Sequence, residues 1–173
     1  TQAKTLFPYT TLFRSCSFDT ITSSSLVPEG PEMRSSQAEV HNALIAAMRA
    51  DAGLAALVGQ KVYDSVPPNA VHPYVQLYGS RIEAWRPGED GCTVFAEIHV
   101  WTRPAVSGTP AGKIGAERIG QAIADALDNI TLTLANDHVC EACRVYQVSV
   151  TRMGDGLTVR SQVNVRVDTT YRP

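Results

Sequence analysis

CTVFAEIHVWT, residues 92–102, alternates in character along its whole length. Val94, Ala96, Ile98 and Val100 fall on one face, and Phe95, Glu97, His99 and Trp101 on the other. A period of two describes a strand with one face in a core. The second face mixes aromatic and charged groups, so it is either half-exposed or set against a partner. Residues 157–169 repeat the pattern. Val159, Val163, Val165 and Val167 face inward, opposite Arg160, Gln162, Asn164, Arg166 and Asp168. With residues 138–152 they make a closing hairpin around Gly154-Asp155-Gly156. These are one-sided antiparallel strands.

Between the two strands the spacing changes to helical. Residues 104–111 form a Gly/Pro/Ser/Thr loop, and residues 112–128 a helix with Ile114, Ile119, Ile123, Ala126 and Leu127 as its buried stripe. A short strand over 131–134 and a turn over 135–137 lead into the hairpin. Upstream, residues 79–91 contain Arg81, Trp85, Arg86, Pro87, Gly88, Glu89 and Asp90 and predict a long hairpin loop. Residues 74–78 and 61–64 predict strands. Residues 66–73 predict a loop, because Pro67 and Pro68 cannot donate to a ladder. An apolar turn over 54–58 ends at Gly59. Before it, Val40, Leu44, Ile45 and Met48 recur at helical spacing, interrupted by Asp51 and Gly53. Ser35 or Ser36 opens this helix, with Glu39 as capping-box partner. The fold class is α+β, a mainly antiparallel sheet with two main helices on one face, in the order α-β-β-β-α-β-β-β.

The chain has 173 residues, 44% hydrophobic and 18% charged, which is a globular composition and sets a prior of one domain. A domain of this size buries roughly two-thirds of the surface its unfolded chain exposes, so neither disulfide nor metal is needed. Net charge is -2. Lys4 and Arg14 aside, 13 Lys and Arg remain from Met33 onward; Asp19, Glu29 and Glu32 aside, 14 Asp and Glu remain. The basic residues do not cluster along the sequence, so no specific nucleic-acid binding is expected. No apolar run approaches the roughly 18 residues of a membrane span. The first residues lack the apolar region of a secretory signal, and a cytoplasmic chain with reduced thiols is the expectation.

Residues 5–15, TLFPYTTLFRS, resemble the translation of a common sequencing-library adapter at every position. Residues 16–32 are Ser-rich, hold two prolines and show no lasting apolar period. We expect residues 1–32 to be non-native or disordered, and residues 33–173 to form the domain.

Candidate chemistry is sparse. Gly108 to Ile114 stands in the strand-loop-helix context of a phosphate loop. It has three residues between the glycines where four are needed, and Ile114 after Lys113 where Ser or Thr would hold magnesium. His138, Cys140 and Cys143 give H-x-C-x-x-C, a weak metal or redox candidate. A structural zinc site wants four ligands, and in a regular strand the two cysteines point to opposite faces. His41, His72, His99 and His138 are scattered, and no complete hydrolase, zincin or dinucleotide motif is present. The reading is a non-enzyme without a cofactor or metal.

One stretch carries a family resemblance: DAGLAALVGQKVYDSVPPNAVHPYVQL, residues 51–77, followed by HVWTR, residues 99–103. The chain resembles the tail-completion (tail-terminator) family of long-tailed phages, prophages and gene transfer agents. Leu54 to Gly59, Val62-Tyr63, Pro67-Pro68, Pro73-Tyr74-Val75, Val100-Trp101 and the valine-rich final hairpin correspond to its pattern. The cysteine pair does not belong to it. The resemblance implies a structural virion protein that ends tail-tube growth, forms a ring, usually a hexamer, and meets the head connector. Its partners would be itself, the tail-tube protein and a connector or neck protein, assembled in the bacterial cytoplasm with no membrane. A head-side neck adaptor is the alternative within the class, and a small zinc or redox module the alternative outside it. The interaction candidates are Pro67, Pro68 and His72 from the proline loop, Arg81, Trp85 and Arg86 from the long loop, and Trp101 from the mixed strand face.

Overall fold

A computed structural model of the protein describes residues 35–86, 89–104 and 111–172. The expectations for residues 1–32, and for Gly108 in the phosphate-loop comparison, lie outside the described residues.

Helix α1 (Gln37–Ala50) buries Val40, Leu44 and Met48, four residues apart and so on one face. Its start differs from the expected capping box. Ser36 makes no side-chain cap bond. Its hydroxyl is buried 2.7 Å from Thr169 Oγ1 and 3.3 Å from Cys92 Sγ. Glu39 Oε1 accepts from Asn136 Nδ2 at 2.7 Å. Tertiary partners have taken both side chains from the local backbone. Asp51 ends α1 and caps a second helix, its Oδ1 accepting from Leu54 N at 2.6 Å. The predicted apolar turn is therefore α2 (Ala52–Val58), which buries Leu54 and Val58.

Strand β1 (Val62–Tyr63) runs parallel to β2 (Tyr74–Ala84), and β2 pairs antiparallel with β3 (Gly91–Thr102). This corrects the long-loop expectation. The strand continues past Tyr78 to Ala84, Arg81 lies within it, and only residues 85–90 connect to β3. The cause is a bulge: register shifts between Leu77 and Gly79, leaving Tyr78 as the extra residue. A linear count of alternation breaks there, although Ile82 returns to the core side.

Helix α3 (Gly112–Leu127) buries Gly115, Ala116, Ile119, Gly120, Ile123 and Leu127. Ile114, expected in the stripe, is exposed. Five residues separate it from Ile119, a rotation of about 140° away from the buried side. Gly120 permits close approach to the sheet, since a Cβ there would lie 2.5 Å from Ser161 Oγ. Residues 131–134 form no strand; their alternation records Leu132 in the core and Leu134 half-buried against it.

Strands β4 (His138–Arg152) and β5 (Val159–Tyr171) form the closing hairpin. The sheet order is β1-β2-β3-β5-β4. Val163, Val165 and Val167 are fully buried, as the alternation requires. All three helices join the inward residues of the sheet in one core. The fold is α+β and mainly antiparallel, as expected, but the element order is α-α-β-β-β-α-β-β. No helix among the described residues is long and apolar enough to cross a membrane.

Candidate interaction surface

Because the helices contact one side of the sheet, its other side carries the outward residues of four neighbouring strands. The register arranges them in rows. One row reads Tyr74, Trp101, Arg160, Thr151, and the next Gln76, His99, Gln162, Ser149. Then follow Gly79, Glu97, Asn164, Gln147, and after them Arg81, Phe95, Arg166, Arg144. The sequence disperses its basic residues, but this sheet sets three arginines in one row with a phenylalanine. Arg81 Cζ lies 4.2 Å from the Phe95 ring centroid, a cation–π distance. Tyr146 meets the same ring edge-on at 6.3 Å.

His99 sits near the middle of this face. Its Nε2 donates to Glu97 Oε1 at 2.6 Å. Tyr78, the bulge residue, stacks on the imidazole at 4.2 Å, and Trp101 meets it edge-on at 5.8 Å. The imidazole is almost fully covered although it lies on the helix-free side. Burial pushes its pKa down, against the opposing pull of Glu97. Among the described residues, His99 Nδ1, Trp101 Nε1 and Arg160 Nε are buried with no hydrogen-bond partner. Buried polar atoms without a partner are uncommon in folded proteins.

The sequence candidates fall in three places. Arg81 and Trp101 lie on the open face. His72 joins them through a run of rings: it packs on Tyr74 at 5.1 Å, and Tyr74 pairs across the strands with Trp101. Pro67 and Pro68 are exposed on the loop beside β1. Trp85 and Arg86 stand at the far end of β2. Trp85 folds back on its own domain, its Nε1 donating to Thr93 Oγ1 at 3.0 Å. Thr93 Oγ1 donates to Asp168 Oδ1 at 2.6 Å, and Asp168 in turn accepts from Arg166 Nε at 3.0 Å. The indole covers Gly91 so closely that a Cβ there would lie 2.3 Å from its ring. Arg86 remains exposed.

The H-x-C-x-x-C reading fares differently. A bulge between Cys140 and Ala142 turns Cys140 and Cys143 to the same side, toward the core, which corrects the opposite-face expectation. Burial pushes the Cys143 thiol up to about 12 and raises Cys140 as well. Burial thus disfavours the thiolate that a redox nucleophile requires. The His138 ring instead packs against Tyr171 at 5.6 Å. No group of three His, Cys, Asp or Glu among the described residues is placed to hold a metal ion.

Sequence reasoning missed Tyr78, Arg160, Arg166 and Tyr146 as members of the face. The outward set of the last strand was visible, but not that this strand lies beside residues 91–102. The two bulge tyrosines broke the period and gave no linear signal.

The family described as Tail completion protein gp17 matches residues 42–170. No curated protein matches the chain. Among solved structures, a chain in the virion of a native gene transfer agent particle is similar at 27% identity and a TM-score of 0.67. The match covers 77% of this chain and 96% of that one. The chain therefore belongs to the phage tail-completion family, as a structural component of a phage or gene transfer agent virion and not an enzyme.

Proposed function

We propose that this protein terminates the tail tube and joins it to the head connector, acting as a closed ring of copies, a hexamer, assembled in the host cytoplasm. The observation that supports it is the contrast between the sides of the sheet. One side is covered by α1 and α3, with α2 packed against them. The other carries Tyr, Trp, Phe, His and Arg side chains. Aromatic residues and arginine are the side chains enriched at protein interfaces and their hot spots. Arg81 and Trp101 act there, and His72, Pro67 and Pro68 act at the β1 edge. Arg86 reaches a neighbour at the far end, while Trp85 holds that turn in shape. A closed ring gives each copy the same surroundings through heterologous contacts.

Deleting the gene in a producing strain and imaging the products by electron microscopy tests the proposal. The expected products are filled heads and unjoined tails of irregular length. Tails of normal length beside unjoined heads would assign the chain to the head side as a neck adaptor. Intact particles would reject both roles.

A further inference from the structure

We propose that adjacent copies join by seating the Val71 loop at the β1 edge of one copy in the groove between α3 and β4 of the next. This contact rests on the ring reading above. β1 and β4 are the two edges of the sheet, so a contact between them is head-to-tail and can close into a ring.

The groove is lined by Gln121, Asp125, Asp128, Tyr146 and Val148, among others. Tyr146 and Val148 are two of the exposed large hydrophobic residues of the described chain, at 56% and 41% exposure. The lining carries two carboxylates and no cation. Asp128 is fixed in place, its Oδ1 accepting from Val145 N at 3.1 Å, and Asp125 Oδ1 accepts from Gln121 Nε2 at 2.8 Å. The Tyr146 ring packs on Phe95 on the other side of the sheet, so the groove offers Val148 as its exposed apolar side chain beside a negative rim.

The opposite edge has the complementary character. Val71 is 69% exposed, the most exposed large hydrophobic side chain among the described residues. Pro67 and Pro68 restrict the loop that presents it, which lowers the entropy lost on docking. Arg103 and Lys61 are near enough to His72 to depress its pKa, after the larger effect of burial, so two cations stand at this end, with Asp64 following β1. Lys61 has no ion pair within the described chain, whereas Arg103 is 3.9 Å from Asp155. Lys61 is therefore the cation free to face Asp125 and Asp128. Strand addition at β4 is the competing mode, but bulges at Glu141 and Tyr146 break that edge twice. A side-chain knob in a groove suits such an edge better than a continued ladder.

The test is disulfide cross-linking of the full-length chain carrying Val71→Cys together with Val148→Cys, with each single variant as control. Light scattering of the unsubstituted protein runs alongside. Cys16, outside the described residues, is replaced by Ser in every chain tested, and the native Cys92, Cys140 and Cys143 are buried and free, so the new thiols react first. The expected result is a ladder of covalent multimers from the double variant only. Adding Lys61→Glu should cut its yield about tenfold, as loss of one interfacial charge pair does, and Asp125→Lys in the same chain should restore it. Multimers of the unsubstituted protein with no ladder from the double variant would overturn this contact and leave the ring standing. A monomer at all concentrations with no ladder would overturn both.

Discussion

The two sides of β3 are built from one stretch of chain and have opposite fates. Val94, Ile98 and Val100 are fully buried beneath α1 and α3. Phe95, Glu97 and Trp101, one residue away in each case, are only half-covered. The inner side is apolar and needs only volume and shape, so its stability comes from burial, at about 25 cal/mol per Å². The outer side has rings, guanidinium groups and a covered histidine, which are poor material for a core and good material for a contact. On the proposed reading, this sheet is finished on one side and covered by a neighbour on the other. Substitutions should accordingly separate into those that unfold the chain and those that leave a folded chain unable to assemble.

The largest effect belongs to the inner side. Val165→Asp places an unpaired carboxylate where the side chain is fully buried. It should cost several kcal/mol, read as a fall in the urea midpoint or as no folded protein. A wild-type midpoint would break the assignment of faces.

On the outer side, Tyr78→Ala removes an exposed ring that stacks on His99. Assembly should weaken by about 2 kcal/mol, the scale of an interface hot spot. The isolated chain should lose no more than about 1 kcal/mol, the scale of one ring pair. Equal losses in both would mean that Tyr78 serves the fold alone.

Gly91→Ala sharpens the comparison at the far end, where Trp85 closes over the backbone. The added methyl displaces the indole from Thr93, costing about 1–3 kcal/mol as overpacking does. Indole emission should shift to the red. Unchanged emission would show that Trp85 does not hold this turn.

Acid acts on the outer side through His99. Its pKa is lowered in the fold by burial, so the neutral form is favoured there. The stability this contributes is complete above the ordinary imidazole value, near 6.5, and is lost as pH falls below it toward the folded value. His41 and His72 are lowered in the same sense. Denaturation midpoints from pH 7.5 down to 5 should fall more steeply for the unsubstituted protein than for His99→Gln. Parallel slopes would remove His99 from the account.

Much of this fold could be read from residues. The alternation in β3 and β5, the Leu44 and Met48 spacing and the α3 helix all follow from periods of two and of nearly four. The errors have one physical origin, which is that tertiary contacts override local signals. Tyr78 and Tyr146 are bulge residues that interrupt the period, so β2 looked like a loop beyond Tyr78. Another bulge turned Cys140 and Cys143 to the same side. Ser36 and Glu39 have the chemistry of a capping box and serve distant partners instead. The candidate surface was legible only in part. Trp101 and the mixed face of β3 could be seen, but the arginine row depends on which strand lies beside which, and adjacency is not a property of linear sequence.

The smallest expected effect concerns residues 1–32, which we propose add nothing to the domain. A chain starting at Met33 should melt within about 2 °C of the full chain, less than the shift from 1 kcal/mol in a domain of this size. A larger drop would place part of that segment in the fold.

The central claim is that the helix-free side of the sheet is covered by a neighbour in the assembled particle. Thiol labelling of Tyr78→Cys tests it most directly, with the unsubstituted chain as the background control. This position is 60% exposed in the isolated protein. Rapid labelling of the free chain and strong protection within intact particles are expected. Equal labelling in both states would contradict it.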